Sequence, residues 1–231
     1  MKFSIQILFC FVCPIFAAIG MYNGGRDSGP WSSESSEGHG YGHGHGHGGR
    51  PHPPRPPREK TNCPADWMLF RRSQGNWCVK VFLGQWTQPQ AEAHCVAQGA
   101  KLTGLQTNEE RLRLAEAGRK MVDQNGLQVS SVWLGARRKA SCPRAGICAA
   151  KDAFEWTDGQ TTGTDGFDWH IGQPDGHWRN GWGHQDCVLQ FVLPTGSGLK
   201  GFVHGQFDDR WCQDQWFNTN NKLYACGKLA T

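Results

Sequence analysis

The sequence predicts an α+β fold stapled by disulfides, with two helices early in the domain followed by short antiparallel strands and a long loop region. Three observations predict it. Two helix-start signals, at Thr87 and Thr107, lie close together. Beyond them the apolar runs have strand length and are separated by Gly-, Asp- and Trp-rich stretches too long to be plain connectors. Eight cysteines fall between Cys63 and Cys226, an even number that reads as a disulfide framework in an exported chain. Helices first and strands after is the order of an α+β domain.

Export is read from the first residues. Lys2 precedes an apolar run from Phe3 to Ala18, and the small residues Ala18 and Gly20 flank a cleavage point before Met21. This is the anatomy of a signal peptide over 1–20. The rival is an uncleaved anchor, but the run is short of the roughly 20 apolar residues a span needs. No later stretch could cross a bilayer, so a secreted, extracellular protein without a membrane span is expected. Residues 21–60 run from Ser/Glu-rich through Gly-His repeats to Pro/Arg-rich. With almost no apolar content they cannot offset chain entropy, and a disordered region is expected. His39, His43, His45 and His47 could ligate a transition metal there, on a backbone with no preset geometry. The domain is expected over 61–231.

Within it, Thr87 caps a helix with Pro89 in the first turn and Gly99 at the end. Ala91, Cys95 and Gln98 would share its inner side. Thr107-Asn-Glu-Glu110 reads as a capping box opening a second helix, with Leu112, Leu114, Ala115 and Met121 as its apolar face and Asn125-Gly126 as its stop. Ser130–Ala136 reads as a buried strand. Further strands are expected around Phe154–Trp156, Cys187–Val192, Gly205–Phe207 and Leu223–Cys226.

Charge and motifs narrow the function classes. A net charge of +4 is too modest to argue for nucleic acid. Between Asp152 and Asp186 stand seven Asp or Glu against one Arg, Arg179, which suits either a solvated loop or a hard cation. No Cys-x-x-Cys pair lies outside the signal, against a zinc site. Neither a Gly-x-Ser-x-Gly elbow nor a His-Glu-x-x-His motif is present, so no enzyme is expected.

The residues resemble the C-type lectin-like domain family over Cys63 to Cys226. Cys63-Pro-Ala-Asp-Trp67 with Trp77-Cys78 resembles the N-terminal hairpin of the family's long form. Ala91–Cys95 through Gly99-Ala-Lys-Leu102 resembles its first helix. Trp133-Leu-Gly-Ala136 resembles its core strand, and Phe154–Gly159 the strand entering its long loop. The wording from Thr157 to Gly166 is similar to secreted nematode members. The resemblance implies the C-type lectin-like fold and the disulfides Cys63–Cys78, Cys95–Cys226 and Cys187–Cys212. Cys142 and Cys148 are then left to pair, with Pro143 and Gly146 permitting the turn.

The resemblance also implies a site. Sugar-binding members hold calcium through a Gln-Pro-Asp or Glu-Pro-Asn triplet, a Glu before the next cysteine and a Trp-Asn-Asp strand. Here these places hold Gln173-Pro174-Asp175, Gln185 and Phe207-Asp208-Asp209. Pro174 is expected to be cis. The implied calcium ligands are Gln173, Asp175, Gln185, Asp208 and Asp209, and calcium is the implied cofactor. The Gln-Pro-Asp order and the Gly/Trp-rich segment Gly176–His184 are similar to galactose-binding members, in which a Trp stacks on the sugar. Trp178 matches it, with Trp182 second. The sugar set is then Gln173, Asp175, Trp178, Gln185 and Asp208, and the partner is a glycan ending in galactose or N-acetylgalactosamine, in a host-defence setting. Gln185 and Asp208 depart from the family pattern: an Asp can only accept, and a Gln offers an amide. The alternative is therefore a calcium-independent C-type lectin-like domain with a protein ligand.

Overall fold

A computed structural model describes residues 62–198, 201–214 and 223–231. The expected signal peptide and the tail over 21–60 lie outside the described residues. Among the described residues no helix is long and apolar enough to cross a membrane.

The elements in chain order are β1 (Met68–Phe70), β2 (Trp77–Leu83), α1 (Gln88–Ala97), β3 (Lys101–Leu102), α2 (Asn108–Gln124), β4 (Ser130–Arg138), β5 (Phe154–Trp156), β6 (Trp178–Arg179), β7 (Gly183–His184), β8 (Cys187–Val192), β9 (Phe207–Arg210) and β10 (Leu223–Leu229), with a 3-10 turn at Ala150–Asp152. The large sheet runs β1-β2-β10-β4-β8-β9, with β3 on β10 and β5 on β4. All of its pairings are antiparallel except β10 with β4, which run parallel. β6 and β7 form a separate two-stranded ribbon.

The strands read as continuous apolar runs because both faces of the sheet are covered. Alternate residues of a strand point to opposite faces. Val132 and Leu134 of β4, Val188 of β8, and Leu223 and Ala225 of β10 pack with Leu114 and Val122 of α2. Trp133, Leu189, Tyr224 and Cys226 pack on the other side with Ala91 and Cys95 of α1. Gly135 is needed for proximity: a Cβ there would collide with the Leu102 carbonyl oxygen. Its own N–H donates to Thr103 O at 2.9 Å, and its carbonyl accepts from Thr157 N at 2.8 Å. Four disulfides fix the frame: Cys63–Cys78, Cys95–Cys226, Cys142–Cys148 and Cys187–Cys212, with Cα–Cα distances of 5.4, 5.3, 5.7 and 5.1 Å. These are the implied pairings, with spacings normal for a disulfide.

Several details differ from the sequence reading. The complete capping box sits on α1, where Thr87 Oγ1 accepts from Gln90 N and Gln90 Oε1 accepts from Thr87 N. On α2, Thr107 caps Glu110 N, but the Glu110 carboxylate turns to Gln106 N and Arg72. A buried arginine outcompetes the cap because its fork satisfies both carboxylate oxygens at once. Gln98 is exposed as the C-cap residue, and Gln88 takes its expected place on the inner side of α1. Leu112 is exposed too: the buried face of α2 is Glu110, Arg111, Leu114, Ala115, Gly118 and Val122. The strand expected at Gly205–Phe207 begins at Phe207 and continues to Arg210, and β4 runs two residues beyond Ala136, to Arg138. Both extensions carry site residues.

Candidate functional site

At one end of the sheet, β9 and the last residue of β4 meet the loop that carries the triplet. The Gln173–Pro174 peptide is cis, as expected. Gly176 follows with φ +60, in the left-handed region, and a Cβ there would press on Ala145 and on Arg138 Nη2. Glycine lets the loop lie this close to β4.

Asp209, fully buried, is the hub. Its Oδ1 accepts from Asp175 N at 3.1 Å, and its Oδ2 accepts from Gly176 N at 2.9 Å and Arg138 Nη2 at 2.6 Å. Arg138 also donates to the Gln185 carbonyl from Nε and Nη2, and its Nε lies 3.3 Å from Asp186 Oδ1. Its guanidinium stacks 4.6 Å over the Phe154 ring. Asp175 Oδ1 in turn accepts from His177 N, and Gln173 Oε1 accepts from Asp175 N. One arginine thus ties β4, β9, the start of β8 and the triplet loop together. Burial pushes the Asp209 carboxyl up to about 7, against the pull of the Gly176 N–H and Arg138. Burial likewise pushes Asp208 up to about 6, although Arg210 lies 3.2 Å away. Asp175 raises both by its charge.

Above this hub stands the β6–β7 ribbon. Trp178 faces His184 across it, and His184 Nδ1 donates to Gly176 O at 2.7 Å. Trp178 is 56% exposed. Trp182 packs inward: it meets Trp211 edge-on, and Arg179 lies 4.6 Å over its ring. Trp211, buried, donates to Gly183 O at 3.0 Å and also meets His177 edge-on. Trp211 and Arg138 were missed in the sequence. The aromatic placed directly before Cys212 was a readable signal for the first; nothing local marks the second.

Of the expected sugar-contacting residues, Gln173, Asp175 and Trp178 reach the surface, whereas Gln185 and Asp208 are buried. Calcium takes six to eight oxygens with free lone pairs. Both Asp209 oxygens already accept bonds, Asp208 Oδ2 faces Arg210, and a guanidinium sits where a dication would approach Asp209. The set as arranged does not fit a calcium ion. Among the described residues no group of three or more His, Cys, Asp or Glu is placed to hold a metal.

A two-sided sheet with four disulfides and a long loop face beside it defines a disulfide-stapled module with an exposed loop. The chain belongs to the C-type lectin domain-containing protein 141/158 family, whose model matches residues 70–229. It is 28% identical over 160 residues to the versican core proteins of Bos taurus and Homo sapiens, covering 69% of this chain but 4% of each relative's length. Similar solved structures include the cow C-type carbohydrate-recognition domain of CD23 in the presence of an oligosaccharide, with 20% identity, TM-score 0.48, and 74% of this chain and 98% of that one covered. A calcium-independent type II antifreeze protein shows 23% identity, TM-score 0.47, and coverage of 74% and 96%. The mouse scavenger receptor C-type lectin carbohydrate-recognition domain shows 22%, 0.47, and 74% and 100%.

Proposed function

We propose that the protein is a secreted, non-catalytic glycan-binding protein that seats the apolar face of a terminal galactose or N-acetylgalactosamine on Trp178. The observation that carries this reading is the ring's exposure. Trp178 is the most exposed aromatic among the described residues, at 56%. A ring so exposed forgoes on the order of 1 kcal/mol of burial, which a sugar's CH face would restore. Asp175 and His177, both exposed beside it, offer a carboxylate acceptor and an imidazole N–H to hydroxyls. Pairing of all eight domain cysteines supports an oxidising, extracellular setting.

A second reading, a protein ligand, is favoured by Ile171, which is 87% exposed on the same loop. Retention of the full chain on galactose-agarose, run with calcium and with a chelator, separates the readings. Retention in both buffers supports stacking without a metal. Retention only with calcium supports the calcium-dependent form implied by the triplet. Failure in both sinks glycan binding of this type and leaves the protein ligand.

A further inference from the structure

We infer that Arg138 is the resident cation of the loop centre, a guanidinium that orders the triplet loop in the place where the family pattern implies calcium. The inference rests on the metal-free form of the reading above, but not on the identity of the ligand.

Three observations carry it. First, the guanidinium is buried, with 2% of the side chain exposed, and its charge is set against two carboxylates, Asp209 at 2.6 Å and Asp186 at 3.3 Å. A cation is buried at this depth only when it is paired and hydrogen-bonded. Second, the pairing is relayed. The Asp209 carboxylate that takes Arg138 Nη2 also takes the N–H groups of Asp175 and Gly176. The carboxylate that the family pattern gives to the metal, and that gathers these backbone N–H groups, is therefore held by a side chain of β4. Third, the placement is built in. Arg138 reaches the hub only because β4 runs past Ala136, and it is steadied by the Phe154 ring and the Gln185 carbonyl. A dication at Asp209 would meet a fixed positive charge within contact distance, and low local dielectric makes that repulsion strong.

Arg138 is thus a positioning residue: it reaches no ligand itself but sets the loop that bears Trp178. The loop's order should then be indifferent to calcium, and removing the positive charge should create a demand for one.

The test is the melting temperature of the full chain in millimolar calcium and in chelator, for wild type, Arg138→Gln and Arg138→Lys. Wild type is expected to change by less than about 1 °C between the two buffers. Arg138→Gln, which leaves the carboxylates without their cation, is expected to be less stable and to regain at least about half of its loss in calcium. Arg138→Lys keeps the charge and is expected to ignore calcium whatever its stability. A calcium-dependent rise of about 4 °C or more in wild type overturns the inference. So does an Arg138→Gln protein, folded or not, that gains nothing from calcium, and so does a calcium rescue of Arg138→Lys. Failure to bind galactose-agarose overturns none of this, because melting reads the loop's counter-ion and not its ligand.

Discussion

Two buried arginine–carboxylate clamps hold this domain, and they are built differently. At the first, Arg72 grips Glu110 with two bonds of 2.9 and 2.7 Å, donates to Thr161 Oγ1 and the Gly104 carbonyl, and leaves none of Nε, Nη1 and Nη2 without a partner. At the second, Arg138 holds Asp209 by one bond, spreads the rest over the Gln185 carbonyl and Asp186, and its Nη1 makes no hydrogen bond among the described residues. The first clamp joins β2's approach to the start of α2, where Glu110 also accepts from Gln106 N just ahead of the helix. The second passes its grip on to the backbone of a surface loop. The difference teaches where rigidity serves the frame and where it reaches an exposed loop.

The comparison breaks most visibly at the first clamp. Arg72→Ala leaves Glu110 buried without its cation, and a loss of about 3–5 kcal/mol in denaturant unfolding is expected. Whatever folds should still display Trp178 normally. Asp209→Ala is expected to cost somewhat less, about 2–3 kcal/mol, since it strands two amides and one guanidinium edge. Its signature is local: faster hydrogen exchange at the Asp175 and Gly176 amides, which Arg72→Ala should not share. Exchange that rises equally in both variants would erase the distinction.

A pH series sharpens it further. His204 is held neutral chiefly by burial, with Arg119 adding to the effect and Glu116 opposing it. Its Nδ1 accepts from Leu193 N at 3.2 Å, a bond that the protonated ring cannot make. Its folded pKa lies below the unfolded value, so the unfolded chain binds the proton first. Stability from this contact should be complete above about pH 6.5 and decline as pH falls toward the folded value. His204→Gln should flatten that slope while leaving the loop amides of the second clamp unchanged. The smallest effect on stability is expected from Trp178→Ala, within about 0.5 kcal/mol, although retention on the glycan matrix should be lost. A large loss of stability would mean the ring packs rather than binds.

The frame was legible because its signals are local. Thr87 and Thr107 announce the helices, Asn125-Gly126 stops the second, and runs such as Cys187–Val192 declare strands buried on both faces. The ribbon was not legible, since two-residue strands among glycines carry no periodicity. The bounds of β9 are not legible either, because Asp208 and Asp209 are buried at its centre, which polarity alone argues against. Their burial depends on arginines, and the partner of Asp209 lies 71 residues earlier, as the partner of Glu110 lies 38 residues earlier. Pairings at such separations leave no mark in a window of sequence. The triplet and Trp178 could be located from the family pattern, but the side chain organising them could not.

Among the described residues the β6–β7 ribbon, finally, shares no strand pairing with the large sheet. It rests on Trp211 through the Gly183 carbonyl and on the edge of Trp182. The segment from His177 to His184 therefore has two kinds of position, with Trp178 and Asn180 exposed and His177 and Trp182 tied to Trp211. New side chains can be tried at the two exposed positions without repacking the interior, so that descendants of one scaffold can change the face they present while keeping the same anchor underneath.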